Sequence, residues 1–169
     1  MLEIINNLKP FMEDNYLELG VREYSRILKL SPPTASKILK GFEKENLLKK
    51  REERGYLLFR ANKESYVLKE LSIIYWKEKL IDLTEYLESE AYSPTIVLFG
   101  SLSKLEASKE SDIDLAIFTK IKKEIKLNEF EKKFGREIQL FIFKSLSDIK
   151  NKELKNNILN GNRLKGRLK

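Results

Sequence analysis

The sequence predicts an α+β protein in three segments, and three observations carry that prediction. Apolar residues recur at helical spacing through the first 45 residues, and again from Val67 to Leu87. Two strand-forming apolar runs, residues 96–99 and 115–118, flank a polar stretch holding Gly100-Ser101 and Asp112-Ile113-Asp114. Charge is spread unevenly: residues 1–64 carry a net +3, residues 65–119 a net −5 and residues 120–169 a net +9, within a chain of net +7. The expected divisions are a domain over 1–63, a helical linker or dimerisation segment over 64–92, and a second domain over 93–169.

The first helix carries Leu2, Ile5, Leu8 and Phe11 or Met12 on one face, with Pro10 expected to bend or end it. Gly20 precedes a second helix over 21–28, with Val21, Tyr24, Ile27 and Leu28 expected inward. Ser31-Pro32-Pro33 starts a third helix, with Ser as N-cap and Pro in the first turn. It runs to about Glu45, burying Ala35, Ile38, Leu39 and Phe42 and leaving Thr34, Ser36, Lys37, Lys40 and Lys44 outside. Residues 47–51 and 56–60 are strand-like runs around a charged turn containing Gly55, which reads as a β-hairpin.

Three helices followed by a hairpin resemble a winged helix-turn-helix. Ser31-Pro32-Pro33-Thr34 and the run Asn46-Leu47-Leu48-Lys49-Lys50-Arg51 carry the resemblance, which covers residues 1 to about 63. It implies a transcription regulator with double-stranded DNA as partner. The physical case stands beside it. From Lys29 to Lys63 there are 10 basic residues against 4 acidic. A helix offering polar residues near its start suits the major groove, and basic groups around a hairpin suit phosphates. The expected DNA-contacting residues are Thr34, Ser36, Lys37, Lys40, Lys50, Arg51 and Arg54. The competing reading is a winged helix used for protein docking alone.

Val67, Leu68, Leu71, Ile74, Tyr75, Trp76, Leu80, Leu83 and Leu87 place one long helix or two short ones in the connector. Their apolar face requires a partner surface, and a homodimer is the expectation. Ser93-Pro94 ends the segment. Beyond the second apolar run lie a basic loop over 120–126 and a helix over 127–134 with Phe130 and Phe134 inward, closed by Gly135. A third strand follows over 136–143, then a last helix capped by Ser145 with Leu146, Ile149, Leu154 and Ile158 inward, then a frayed tail.

The stretch from Thr95 to Thr119 carries the chemistry. It reads as strand, phosphate turn, short helix, strand. Gly100 lets the backbone approach an anion, and Ser101 can cap the helix behind it. Asp112 and Asp114, two apart on a strand, share one face about 7 Å apart. Paired hard oxygens suit Mg²⁺ held together with triphosphate oxygens. Zero Cys and zero His remove the usual zinc sites and every His-based catalytic base, so a metal here would be Mg²⁺ or Mn²⁺ on carboxylates. No apolar run nears the ~20 residues of a membrane span, and no signal-peptide pattern begins at Met1; the expectation is a cytoplasmic protein with no membrane partner.

Gly-Ser, ten residues, then Asp-x-Asp resembles the signature of minimal nucleotidyltransferases of the DNA polymerase beta superfamily, a group that includes antitoxins paired with a helical toxin. Gly100, Ser101, Asp112 and Asp114 match it, and the tail Asn160-Gly161-Asn162-Arg163-Leu164-Lys165-Gly166 resembles that family's ending; the likeness covers about residues 93–166. It implies a mixed sheet with flanking helices, nucleotide binding at Gly100 and Ser101, metal on Asp112 and Asp114, and ATP or another NTP as ligand. It also implies a third carboxylate on the neighbouring strand. Gln139 stands at that position here, and Glu137 lies two residues away on the same strand face. Three readings stay open. One is a DNA-binding regulator whose second domain binds Mg-NTP or a separately encoded protein partner but transfers poorly. Another is an active enzyme placing NMP on a protein or RNA hydroxyl. The third is a structural relic.

Overall fold

The computed structural model describes residues 2–120 and 125–167. Part of the expected basic loop at 120–126, and the end of the expected tail, lie outside the described residues. The chain divides into two compact units: Met1–Tyr75 with Leu105–Lys109, and Trp76–Lys104 with Glu110–Lys169.

The first unit begins with α1 (Glu3–Glu13), which buries Ile5, Leu8, Phe11 and Met12. Pro10 lies inside this helix, so of the two expected effects, a bend or an end, it does not end it. The proline is itself buried, so burial supplies apolar contact where the helix loses one N–H. β1 (Leu19–Gly20) leads into α2 (Val21–Leu28), where the Gly20 N–H donates to Glu23 Oε2 at 3.0 Å. The inward face of α2 differs from expectation: Tyr24 and Ser25 are buried, whereas Ile27 is 50% exposed. Tyr24 stacks on Phe11 with centroids 6.0 Å apart and donates its hydroxyl to Asn7 O at 2.8 Å. That pairing rotates the helix about its Tyr24–Ser25 side and turns Ile27 out.

α3 (Pro32–Lys44) starts as expected on Ser31, whose Oγ accepts the Thr34 N–H at 3.3 Å. Ala35, Leu39 and Phe42 are buried and Ile38 is half-buried. β2 (Leu48–Glu53) and β3 (Tyr56–Ala61) form the hairpin, with Glu53 opposite Tyr56 across the two-residue turn Arg54-Gly55. Both turn residues have positive φ, 50° and 79°, as a type I′ turn requires. β1 pairs antiparallel with the other side of β3, so the sheet order is β1-β3-β2.

Residues 105–109 belong to this first unit although they lie far along the chain. Asn15 is their anchor. Its backbone N–H donates to Ala107 O and its Oδ1 accepts the Ala107 N–H, both at 2.7 Å, while its Nδ2 donates to Phe11 O. Asn15 and Ala107 are both buried, and the paired bonds satisfy groups that burial would otherwise leave costly.

The connector is two helices, α4 (Tyr66–Lys79) and α5 (Ile81–Ala91). Leu68, Tyr75, Trp76, Leu80, Leu83 and Leu87 are buried, but Val67 and Ile74 are 56% and 47% exposed. Among the described residues no helix is long and apolar enough to cross a membrane.

The second unit is built on β4 (Thr95–Phe99), all five residues of which are buried. α6 (Ser101–Lys104) is a single turn, and β5 (Ile113–Phe118) returns antiparallel to β4. α7 (Asn128–Phe134) ends at Gly135, with φ 64°, and β6 (Ile138–Phe143) joins β5 in parallel. The expected last helix is divided: a 3₁₀ turn over Leu146–Asp148, then α8 (Lys152–Leu159), N-capped by Asn151, whose Oδ1 accepts the Leu154 N–H at 3.0 Å. The tail is not a frayed extension of that helix. Residues 162–165 form β7 (Asn162–Lys165), antiparallel to β4, giving a mixed sheet of order β6-β5-β4-β7. One face of this sheet, with Val97, Phe99 and Ala116, packs with Ile149 and Ile158; Ile96, Leu98, Leu115 and Ile117, alternate in sequence, are buried on the other.

Gly161 makes the approach of β7 possible. A Cβ there would lie 2.6 Å from Leu98 O and 2.8 Å from Val97 Cγ1. Gly161→Ala is expected to push β7 from β4 and destabilise the protein by about 1–3 kcal/mol, read as a lower urea midpoint; an unchanged midpoint would show that the strand pairing tolerates the added carbon.

Candidate functional site

The site lies where β4 ends and β5 and β6 begin. Phe99 is opposite Asp114 in the antiparallel pair, so Gly100, next in the chain, turns directly beside Asp114. Gly100 has φ 71°, and a Cβ at this position would fall 2.0 Å from Asp114 Oδ2. The carboxylate therefore occupies the space that a side chain at position 100 would fill, and only glycine satisfies both the backbone and the contact. Ser101 is the first residue of α6 rather than its cap, and the hydroxyl that bonds back is that of Ser103, donating to Gly100 O at 2.8 Å.

Asp112 sits just before β5, and both Asp112 and Asp114 are half-buried, on the same side of the strand as their spacing requires. Asp114 has its pKa raised above the ordinary 3.8, first by loss of solvent and then by the charge of Asp112. A carboxylate pair in which one member's ionisation is opposed by the other is a donor set that a divalent cation would relieve.

Asp114 is level with Gln139 in the parallel pair. Gln139 thus stands on β6 where a third acid would complete the set. Its Nε2 donates to Asp112 Oδ2 at 2.7 Å. The amide satisfies one aspartate oxygen with a neutral donor and adds no negative charge. Among the described residues no group of three or more Asp, Glu, His or Cys assembles that could hold a metal. Glu137, exposed and one step outside β6, contributes its backbone carbonyl to the Ile113 N–H at 2.8 Å. Asp112 and Asp114 are the residues that would hold a divalent ion, and Gln139 adds no carboxylate to them.

Arg136, which sequence reasoning did not single out, braces this edge. It donates to Ser111 O, immediately ahead of Asp112, and its guanidinium lies over the Trp76 ring at 5.4 Å. Its only sequence signal is an Arg directly after the helix-ending Gly135. Asn162 Nδ2 donates to Ser103 O at 3.2 Å, tying the start of β7 to the turn behind Gly100.

The other residues expected to bind a partner lie in the first unit. Lys37 and Lys40 are exposed on α3, Arg54 is exposed at the hairpin turn, and none of the three has an ion pair among the described residues. Thr34 is exposed with its hydroxyl 2.7 Å from Ser31 Oγ, and Ser36 is half-buried. Lys50 and Arg51 are engaged differently. Lys50 pairs with Glu43 at 3.3 Å, and Arg51 forms a two-pronged bond to Glu18 and a further pair with Glu53 at 2.7 Å. Lys49 pairs with Glu64 at 2.6 Å. Arg51 holds the Glu18 carboxyl below its ordinary range. These pairs brace β2 and withdraw part of the expected basic surface.

The raised pKa of Asp114 sets a sign. The folded chain resists losing this proton, so the metal-free protein loses stability as pH rises through the Asp114 pKa. Asp114→Asn is expected to raise the urea midpoint at pH 7 in EDTA, with the gain shrinking as pH falls to the ordinary aspartate range. A lower midpoint at pH 7 would mean that the ionised carboxylate stabilises the fold.

No curated protein matches the chain. The family model for polymerase beta nucleotidyltransferases matches residues 81–167, which takes in all of β4 to β7 together with Gly100, Asp112, Asp114 and Gln139. The chain therefore belongs to the polymerase beta nucleotidyltransferase family.

Proposed function

We propose that the chain is a DNA-binding transcription regulator whose nucleotidyltransferase domain binds Mg-NTP and transfers nucleotide poorly. The observation that carries this reading is Gln139: it is level with Asp114 and spends its amide on Asp112. Asp112 and Asp114 would hold Mg²⁺ (or Mn²⁺), and the bound ion supplies charge neutralisation for triphosphate oxygens. The chain's own residues do the rest. Gly100 opens the backbone to the phosphates, and Gln139 and Arg136 fix the position of Asp112. Gln139, level with Asp114, is neutral and cannot take a proton from an attacking hydroxyl, and the chain has no histidine to act in its place.

The first unit supports the DNA part of the proposal. Its three helices and I′-turned hairpin are the parts a winged helix-turn-helix uses, with α3 as the helix that would enter the major groove. Lys37, Lys40 and Arg54 are the cations best placed to meet phosphates, since Lys50 and Arg51 are already ion-paired. The exposed Val67 and Ile74 on α4 support a homodimer.

Two experiments test this. Lys37→Ala with Lys40→Ala is expected to weaken duplex DNA binding and to flatten its salt dependence by about one unit of slope for each phosphate interaction removed. Gel-shift titrations at several salt concentrations read both, and unchanged affinity and slope would remove α3 from the interface. Gln139→Asp is expected to raise transfer of labelled AMP from ATP to protein or RNA hydroxyls, by up to roughly a hundredfold. Strong transfer by the native chain, abolished in Glu137→Gln, would instead establish an active enzyme with Glu137 as its third acid.

A further inference from the structure

The far end of the same sheet holds a second feature that the carboxylate site does not use. Thr95 at the start of β4 is opposite Phe118 at the end of β5, and Phe118 is level with Phe143 at the end of β6. Beyond these residues opens a cavity of about 520 Å³, lined among others by Lys120, Lys144, Arg167, Tyr92, Phe118 and Leu146. It lies four residues along β5 from Asp114, about 13 Å away.

Its charge is one-sided. Lys120, Lys144 and Arg167 line it, and among the described residues no carboxylate does. None of the three cations has an ion pair among the described residues. Asp148, on the 3₁₀ turn that follows Lys144, accepts the backbone N–H groups of Lys144 and Ser145, both at 3.0 Å. The walls are held in place: Thr95 Oγ1 donates to Arg167 O and Thr119 Oγ1 to Ala91 O, each at 2.7 Å. Tyr92 and Ser93 both have positive φ, 53° and 50°. Two successive non-glycine residues in the left-handed region carry a backbone cost, and they leave Tyr92 85% exposed at the cavity.

Three cations with no ion pair among the described residues call for a polyanion. The volume is within the ~300–1,000 Å³ of small-molecule sites and far larger than a bare phosphate needs. Tyr92, Phe118 and Leu146 add flat apolar surface of the kind on which a base rests. We propose that this cavity is a second, metal-independent nucleotide site, with the phosphates of one nucleotide on Lys120, Lys144 and Arg167 and its base against the aromatic wall. The cations replace the ion that the carboxylate site requires, so the two sites differ in their need for Mg²⁺.

Titration calorimetry of the full chain with ADP in EDTA tests this. The expected result is one ADP bound per chain, weakened at least about tenfold by Lys120→Ala with Lys144→Ala, two exposed residues, and retained in Asp112→Asn with Asp114→Asn. Pyrophosphate in the same buffer is expected to bind at least about tenfold more weakly than ADP. Absence of ADP binding in EDTA would overturn the proposal. So would loss of that binding in the aspartate variant, or full binding in the lysine variant, since either would place ADP elsewhere. Pyrophosphate binding as tightly as ADP would overturn the nucleotide assignment and leave a phosphate site.

Discussion

The register between β4 and β5 is the constraint on which the second unit depends. With Phe99 opposite Asp114, the turn at Gly100 and the carboxylate of Asp114 must share one small volume, and the missing Cβ of Gly100 is what lets them. A slip of one residue would send Asp114 into the face now occupied by Leu115 and Ile113, both fully buried. The apolar alternation of both strands opposes that slip, so the packing of the sheet also aligns the site. β6 then inherits the alignment, because its parallel pairing sets Gln139 level with Asp114.

Charge decides what that aligned site can do. The charge of Asp112 already opposes ionisation of Asp114, and among the described hydrogen bonds the Gln139 amide is the neighbour joined to the pair. A carboxylate in place of Gln139 would add a third negative charge to a half-buried cluster; an amide instead removes a lone pair of Asp112 from competition. The amide thus leaves the charge of the cluster at the two aspartates. The opposite end of the sheet has the reverse imbalance, with cations and, among the described residues, no acid. One four-stranded sheet thus presents two ends of opposite electrostatic character.

In the first unit the same physics narrows a surface. Ten basic residues between Lys29 and Lys63 suggest a broad positive face, but acidic residues from the approach to β1, from α3 and from the segment after β3 take up Arg51, Lys50 and Lys49. Exposed pairs of this kind add little stability. Among the described residues, Lys37, Lys40 and Arg54, on the helix and at the hairpin tip, stay without an ion pair, as do Lys29, Lys44 and Lys63.

By itself the sequence determined the elements whose signals are local. Alternating and helical apolar spacing marked β4, β5, β6 and α1 to α3; Ser31-Pro32 marked a helix start; Gly135 a helix end; the spacing from Gly100 to Asp114 set the expectation of a site, and the family resemblance added Gln139 to it. Tertiary structure decided what local signals cannot express. The tail became β7 because β4 offered an open edge and Gly161 lets the backbones approach, whereas its own Asn- and Lys-rich sequence has no strand pattern. Pro10 stays within α1 because its ring is buried, and Ile27 faces out because Tyr24 pairs with Phe11. Residues 105–109 join the first unit through Asn15, a long-range backbone pairing with no periodic signature. Local preference sets which segments are helix or strand; burial and hydrogen bonding between distant residues set which faces and edges they use.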